Sequence, residues 1–252
     1  MKNILKINIS DNTYLIFLIA MLSGYLKNVF LITIVVLIHE LGHVFFFLIF
    51  KIRIEKITLY PFGGITLINK KFHERIYKDL LCSIGGILFQ ILFMFFINYL
   101  YLNGYMFSST FNILKTYNFS IMVFNLIPMI PLDGSKLLFS FCTCFLSFRK
   151  SYFIMCIASF VSLLLFVIYN MVFKMNDIIL YLFLGFMLIK TIREFKFIMN
   201  KFYLERILYT HYFNGIVYDA DINDIKIDKL YYFNKDGNVI NEKKFIQDYY
   251  FK

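Results

Sequence analysis

The chain has 252 residues, of which 60% are hydrophobic, 21% aromatic and only 17% charged, with a mean hydropathy of +0.69. Soluble domains average about 45–50% apolar and about 25% charged residues. The composition therefore excludes a disordered chain, a coiled coil and an ordinary soluble enzyme, and describes a polytopic α-helical membrane protein. The net charge of +10 lies within residues 1–200, because residues 201–252 carry eight basic and eight acidic side chains. Charge distributed over loops between apolar runs reflects membrane orientation, so no nucleic-acid partner is expected.

A bilayer core ~30 Å thick needs ~20 apolar residues per helix, and six spans fit the sequence. The first runs from Tyr14 to about Leu26, behind a basic start with no small-residue cleavage site, and is expected to be retained. The second is Phe30–Phe50. Residues 51–79 do not read as a helix. Ile52, Ile54, Ile57 and Leu59 roughly alternate with Arg53, Glu55 and Thr58, and Pro61-Phe62-Gly63-Gly64 then leads into Ile65-Thr66-Leu67. That pattern predicts a strand, a turn and a second strand.

The third span is Leu80–Leu102. The fourth runs from about Tyr117 to Phe148 and is interrupted by Pro128 and Pro131; the fifth is Tyr152–Phe173 and the sixth Ile178–Ile189. With the N-terminus on one side and the chain alternating, that side receives Lys51, Arg53, Lys70, Lys71, Arg75, Arg149 and Lys190 among others. The opposite side receives only Lys27, Lys115 and Lys174. The asymmetry predicts cytoplasmic N- and C-termini. Residues 1–200 are thus expected to form a six-span membrane domain, and residues 201–252 a small cytoplasmic α/β extension. Strand-like runs lie at Gly215–Tyr218 and Leu230–Phe233, with a turn at Asn234-Lys235-Asp236-Gly237.

The second span carries His39-Glu40-Leu41-Gly42-His43. Residues i and i+4 share a helix face, so both imidazoles can reach one metal ion with Glu40 beside them. Catalytic zinc takes three protein ligands and keeps a position for water, and Glu40 could take that water's proton. A charged side chain at membrane depth costs at least ~2.5–3.5 kcal/mol on insertion scales. The six spans contain only two acidic residues, Glu40 and Asp133. Asp133 ends the run Asn125-Leu126-Ile127-Pro128-Met129-Ile130-Pro131-Leu132-Asp133, and Gly134 follows. Two prolines and a glycine break the helix there. Broken backbone is tolerated at membrane depth only inside protein or along a watery cavity. Asp133 is therefore the expected third ligand.

Other residues are less informative. Lys136 can pair with Asp133 across one helical turn or snorkel to the interface. His73 and His211 read as solvated loop residues. Cys82, Cys142, Cys144 and Cys156 lie in or beside apolar runs without zinc-ribbon or disulfide spacing.

The paired HELGH and NxxPxxPLDG motifs resemble the site-2 protease family of intramembrane zinc metalloproteases. The motif order and the intervening strand loop resemble its stage IV sporulation protein FB branch. The resemblance covers about residues 1–200. It implies one zinc ion per chain held by His39, His43 and Asp133, with Glu40 as catalytic base. It also implies active-site support from Asn125, and a membrane-associated loop at Phe62, Gly63 and Gly64 near the substrate path. Cleavage of a membrane-associated protein near the cytoplasmic leaflet would follow. The expected substrate is a sigma-factor precursor processed during sporulation, and inhibitory membrane proteins and lipid are the expected partners. A site-2 protease of another regulated pathway and a non-proteolytic zinc-binding membrane protein are the alternatives. This chain departs from the family in three places. Ser135 stands where a second glycine is common. Gly85-Gly86 and Gln90 stand near the family's small-residue motif in the third span. Residues 201–252 are too few for the CBS domain that ends many members of the branch.

Overall fold

The computed structural model describes residues 6–9, 18–19, 21–52, 54–60, 63–68, 76–172, 184–193, 202–204, 206–207, 215–218, 224–227, 229–235 and 238–250. Residues 14–17 and 20 of the first expected span, the Pro61-Phe62 turn, His73, His211 and residues 178–183 lie outside them. The chain divides into two compact units, residues 1–70 with 81–125, and residues 71–80 with 126–252.

In the first unit a short strand β1 (Lys6–Ile9) precedes the long helix α1 (Leu26–Ile49). Twenty-four residues at ~1.5 Å each make α1 about 36 Å long, enough to cross a bilayer core of ~30 Å. The helix ends in a Schellman turn. Lys51 takes a left-handed φ of 55°, its N–H bonds to the Leu48 carbonyl, and the Ile52 N–H bonds to that of Phe47. The chain then enters β2 (Ile54–Tyr60) and β3 (Gly63–Ile68). β2 and β3 pair antiparallel with Tyr60 opposite Gly63. β1 adds parallel to β2, with Lys6 opposite Lys56. β2 is therefore the central strand, and the outer edges belong to β1 and β3.

Helix α2 (Ile76–Leu102) follows, then α3 (Ser108–Leu126). α2 ends in the same turn as α1, here with Gly104 at a φ of 75°. Residues 108–116 are too polar to read as membrane span, so the fourth apolar run was expected to begin only at Tyr117; α3 starts nine residues earlier. Leu31 and Val35 of α1, Ile97 of α2, and Phe111 and Leu114 of α3 form one buried cluster. Lower along α1 and α2 the contact is glycine on glycine. A Cβ at Gly85 would sit 2.7 Å from the Phe46 ring and 2.6 Å from the Gly42 carbonyl oxygen. Small residues of this kind let helix backbones approach closely in membranes.

In the second unit, residues 127–132 form the break between helices. Met129 N–H donates to the Ile127 carbonyl and Leu132 N–H to that of Met129, each at 2.7 Å. The Ile130 N–H donates to Ser159 Oγ at 2.8 Å. The interrupted backbone is thus satisfied inside protein, as such segments require. Helix α4 (Asp133–Phe145) starts on the far side of the break, and α5 (Phe148–Val172) follows. Residues 184–193 are also helical.

The tail carries β4 (Ile216–Tyr218), β5 (Leu230–Lys235), β6 (Asn238–Asn241) and α6 (Glu242–Tyr250). β4 pairs parallel to β5, and β5 antiparallel to β6. Its core of Phe202, Ile225, Ile227, Tyr231, Phe233 and Ile246 closes on Phe148 at the start of α5. The Phe148 and Phe202 rings stack with centroids 3.7 Å apart. Arg206 is buried there, bonded through two nitrogens to the Glu242 carboxylate and to the carbonyls of Ile227 and Lys229.

Among the described residues, three helices are long and apolar enough to cross a membrane: Leu26–Ile49, Tyr77–Leu102 and Phe148–Val172. They expose many large apolar side chains, among them Phe45, Leu92, Phe95, Phe96, Phe160 and Leu165. That surface would be an aggregation hazard in water and is what lipid solvates.

Candidate metal centre

His39 and His43 lie one turn apart on α1, and both are buried. Their rings meet edge to face, with centroids 4.8 Å apart. The Nε2 atoms are 3.1 Å apart. The proton positions follow from the other ring nitrogens. His43 Nδ1 is 2.7 Å from the Cys82 carbonyl oxygen, which can only accept, so His43 Nδ1 carries the proton. His39 Nδ1 is 3.1 Å from Gln90 Oε1. The Gln90 amide is oriented by its own Nε2, which donates to the Asn118 carbonyl at 3.4 Å. His39 Nδ1 therefore donates as well.

With both Nδ1 atoms donating, the facing Nε2 atoms 3.1 Å apart are the pair that a shared cation would bridge. Zn–N bonds of ~2.0–2.1 Å at tetrahedral angles place two ligand nitrogens ~3.3 Å apart, close to what is found. Ligating histidines characteristically donate their second ring N–H to a carbonyl, and both do so here. Gly86 of α2 packs flat against the pair. A Cβ there would lie 2.5 Å from His39 Cε1 and 2.7 Å from both His39 Nδ1 and His43 Nε2.

Asp133 is buried and is the first residue of α4. Gly134 behind it packs on the Leu126 and Ile127 carbonyls, where a Cβ would collide. This is the physical reason for glycine after the aspartate. Lys136 Nζ bonds Asp133 Oδ1 at 2.8 Å, so of the two roles open to Lys136 the ion pair is the one adopted. His39 and His43 belong to the first unit and Asp133 to the second. Two imidazoles and a carboxylate are a donor set suited to zinc. Glu40, between the histidines on α1, is half-buried.

Asn125 lies in the last turn of α3, and its Nδ2 donates to the Ile121 carbonyl at 3.0 Å. Gly63 and Gly64 open β3, and Phe62 lies outside the described residues. The four cysteines are free thiols. Gln90, Asn118 and Gly86 were not assigned roles from sequence. Their signal was an amide, and a glycine four residues before it, in an otherwise apolar helix.

Residues 102–169 match the model of peptidase family M50. Over 206 residues the chain is 31% identical to Stage IV sporulation protein FB of Bacillus subtilis, covering 81% of this chain and 72% of the relative. It is 32% identical over 140 residues to a zinc metalloprotease of Methanocaldococcus jannaschii, covering 50% of this chain and 40% of that protein. The solved site-2 protease from the same archaeon aligns with a TM-score of 0.56 at 24% identity, covering 77% of this chain and 93% of that one, which shows a shared fold. The chain belongs to peptidase family M50, the site-2 protease class, and is a metallopeptidase and an integral membrane protein.

Proposed function

We propose that the protein hydrolyses a peptide bond of a membrane-associated protein substrate near the cytoplasmic leaflet. His39, His43 and Asp133 would hold one zinc ion and Glu40 would act as the base. The observation that carries this reading is the pair of facing Nε2 atoms 3.1 Å apart, each imidazole fixed through its Nδ1. When bound, zinc supplies Lewis acidity toward the scissile carbonyl and toward water. Glu40 accepts a proton from the attacking water and delivers it to the leaving amine. Lys136 holds one oxygen of Asp133, which orients the carboxylate. The excess of basic residues in the loops on one side supports cytoplasmic termini.

A helical substrate has its carbonyls tied in internal hydrogen bonds and must be extended before cleavage. β2 has a partner on each side, so an extended substrate would add at an outer edge of the sheet, in our reading that of β3, Gly63–Ile68. The relative named for stage IV of sporulation supports a sporulation substrate, a sigma-factor precursor in our reading. Processing in another regulated pathway would use the same centre. A non-proteolytic zinc-binding role would not need Glu40. The test is co-expression with a tethered sigma-factor precursor: Glu40→Gln abolishes its cleavage and retains stoichiometric zinc. Cleavage persisting in that variant would refute the mechanism.

A further inference from the structure

We infer that Gln90 is a positioning residue for the metal centre, holding His39 in the tautomer and orientation that a metal ligand needs; the inference rests on the zinc reading above. Gln90 is fully buried at the middle of α2, a helix that is otherwise apolar around it. An uncharged amide there has to be satisfied internally, and its partners are specific. Oε1 accepts from His39 Nδ1 at 3.1 Å, and Nε2 donates to the Asn118 carbonyl. Asn118, buried on α3, returns the bond: its Nδ2 donates to the Gln90 carbonyl at 3.0 Å. These two side-chain-to-backbone bonds close a ring between α2 and α3. The ring fixes where Gln90 sits and which end of its amide faces the imidazole.

The two histidines are therefore held differently. His43 Nδ1 is held by a main-chain carbonyl, that of Cys82, which no side-chain substitution removes. His39 depends on a side chain. With that side chain gone, His39 can move its proton to Nε2, the atom that must be free to ligate. Its ring also loses the contact that turns Nε2 toward His43. Such supporting bonds are worth about 10–100-fold in metal affinity.

A packing role and a positioning role predict opposite orders for two variants. Gln90→Met keeps the volume and suits an apolar helix but offers no oxygen acceptor. Gln90→Glu, as the neutral acid, keeps an acceptor oxygen toward His39 and an O–H donor toward the Asn118 carbonyl, but places an acid in an apolar helix. Zinc affinity of the full-length, detergent-solubilised protein would be measured by chelator competition, with the visible spectrum of the cobalt-substituted protein as a second readout. The expected result is affinity lower by about 10–100-fold and an altered cobalt spectrum in Gln90→Met. Gln90→Glu should retain the wild-type spectrum and an affinity close to wild type. Equal affinity of Gln90→Met and wild type, or loss confined to Gln90→Glu, would overturn the positioning role while leaving the zinc reading intact. Failure of the wild type itself to bind stoichiometric zinc would overturn that reading and this inference together. Thermal unfolding of the metal-free forms is the control for a folding defect. Similar unfolding temperatures with different zinc affinities support positioning, and a loss of affinity that only follows a loss of fold counts against it.

Discussion

Replacing Gly86 with alanine tests the centre with a single added methyl group. The new Cβ would lie 2.5–2.7 Å from atoms of both imidazoles, where ordinary contact begins at 3.4 Å. The shortfall is about 0.7–0.9 Å. α2 can move away only by opening the close Gly85–Gly42 packing beside it. Either way the imidazoles shift relative to α2, and movement on the order of 1 Å at a reacting centre costs roughly 10²-fold in rate. Overpacking of a tight site costs typically ~1–3 kcal/mol in stability. Gly86→Ala should therefore lower cleavage of a co-expressed substrate by about 100-fold and weaken zinc by at least ~10-fold. Gly185→Ala is the matched control, since a Cβ at Gly185 meets nothing within 4 Å. Cleavage and zinc affinity of Gly86→Ala both within threefold (~0.7 kcal/mol) of wild type would show that the imidazoles are not held as described.

Asp133→Asn should lose zinc by at least ~10-fold and lose cleavage with it; full zinc occupancy with retained activity would remove Asp133 from the ligand set. Proline introduced along Ile65–Leu67 should abolish cleavage if β3 receives the substrate, and cleavage surviving every such substitution would dismiss addition at β3. Glu242→Gln leaves the Arg206 guanidinium buried without its charge partner. It should destabilise the tail by about 3–5 kcal/mol, seen as rapid proteolysis beyond α5; resistance equal to wild type would contradict the assigned role of the pair.

The readable parts of this protein were those with a short period. The four-residue spacing of His39 and His43 placed them on one helix face, and the alternation from Ile52 to Leu59 anticipated β2. The two prolines before Asp133 marked the break between α3 and α4. What depended on distant pairing was not readable. Lys6–Ile9 alternate as a strand should, yet four residues are too few to stand out, and their partner begins fifty residues later. Gln90 and Asn118 gain their meaning only from being opposite one another across two helices. Arg206 looked like one basic residue among many in a neutral tail, because burial between Glu242 and two carbonyls leaves no trace in spacing.

The seam between α1 and α2 also restricts where a substrate can arrive. Main chain lies on main chain at Gly42 and Gly85, with no room even for a methyl group. A transmembrane helix about 10 Å across has no doorway there. The incoming polypeptide must approach the histidines from a side that these two helices do not wall off.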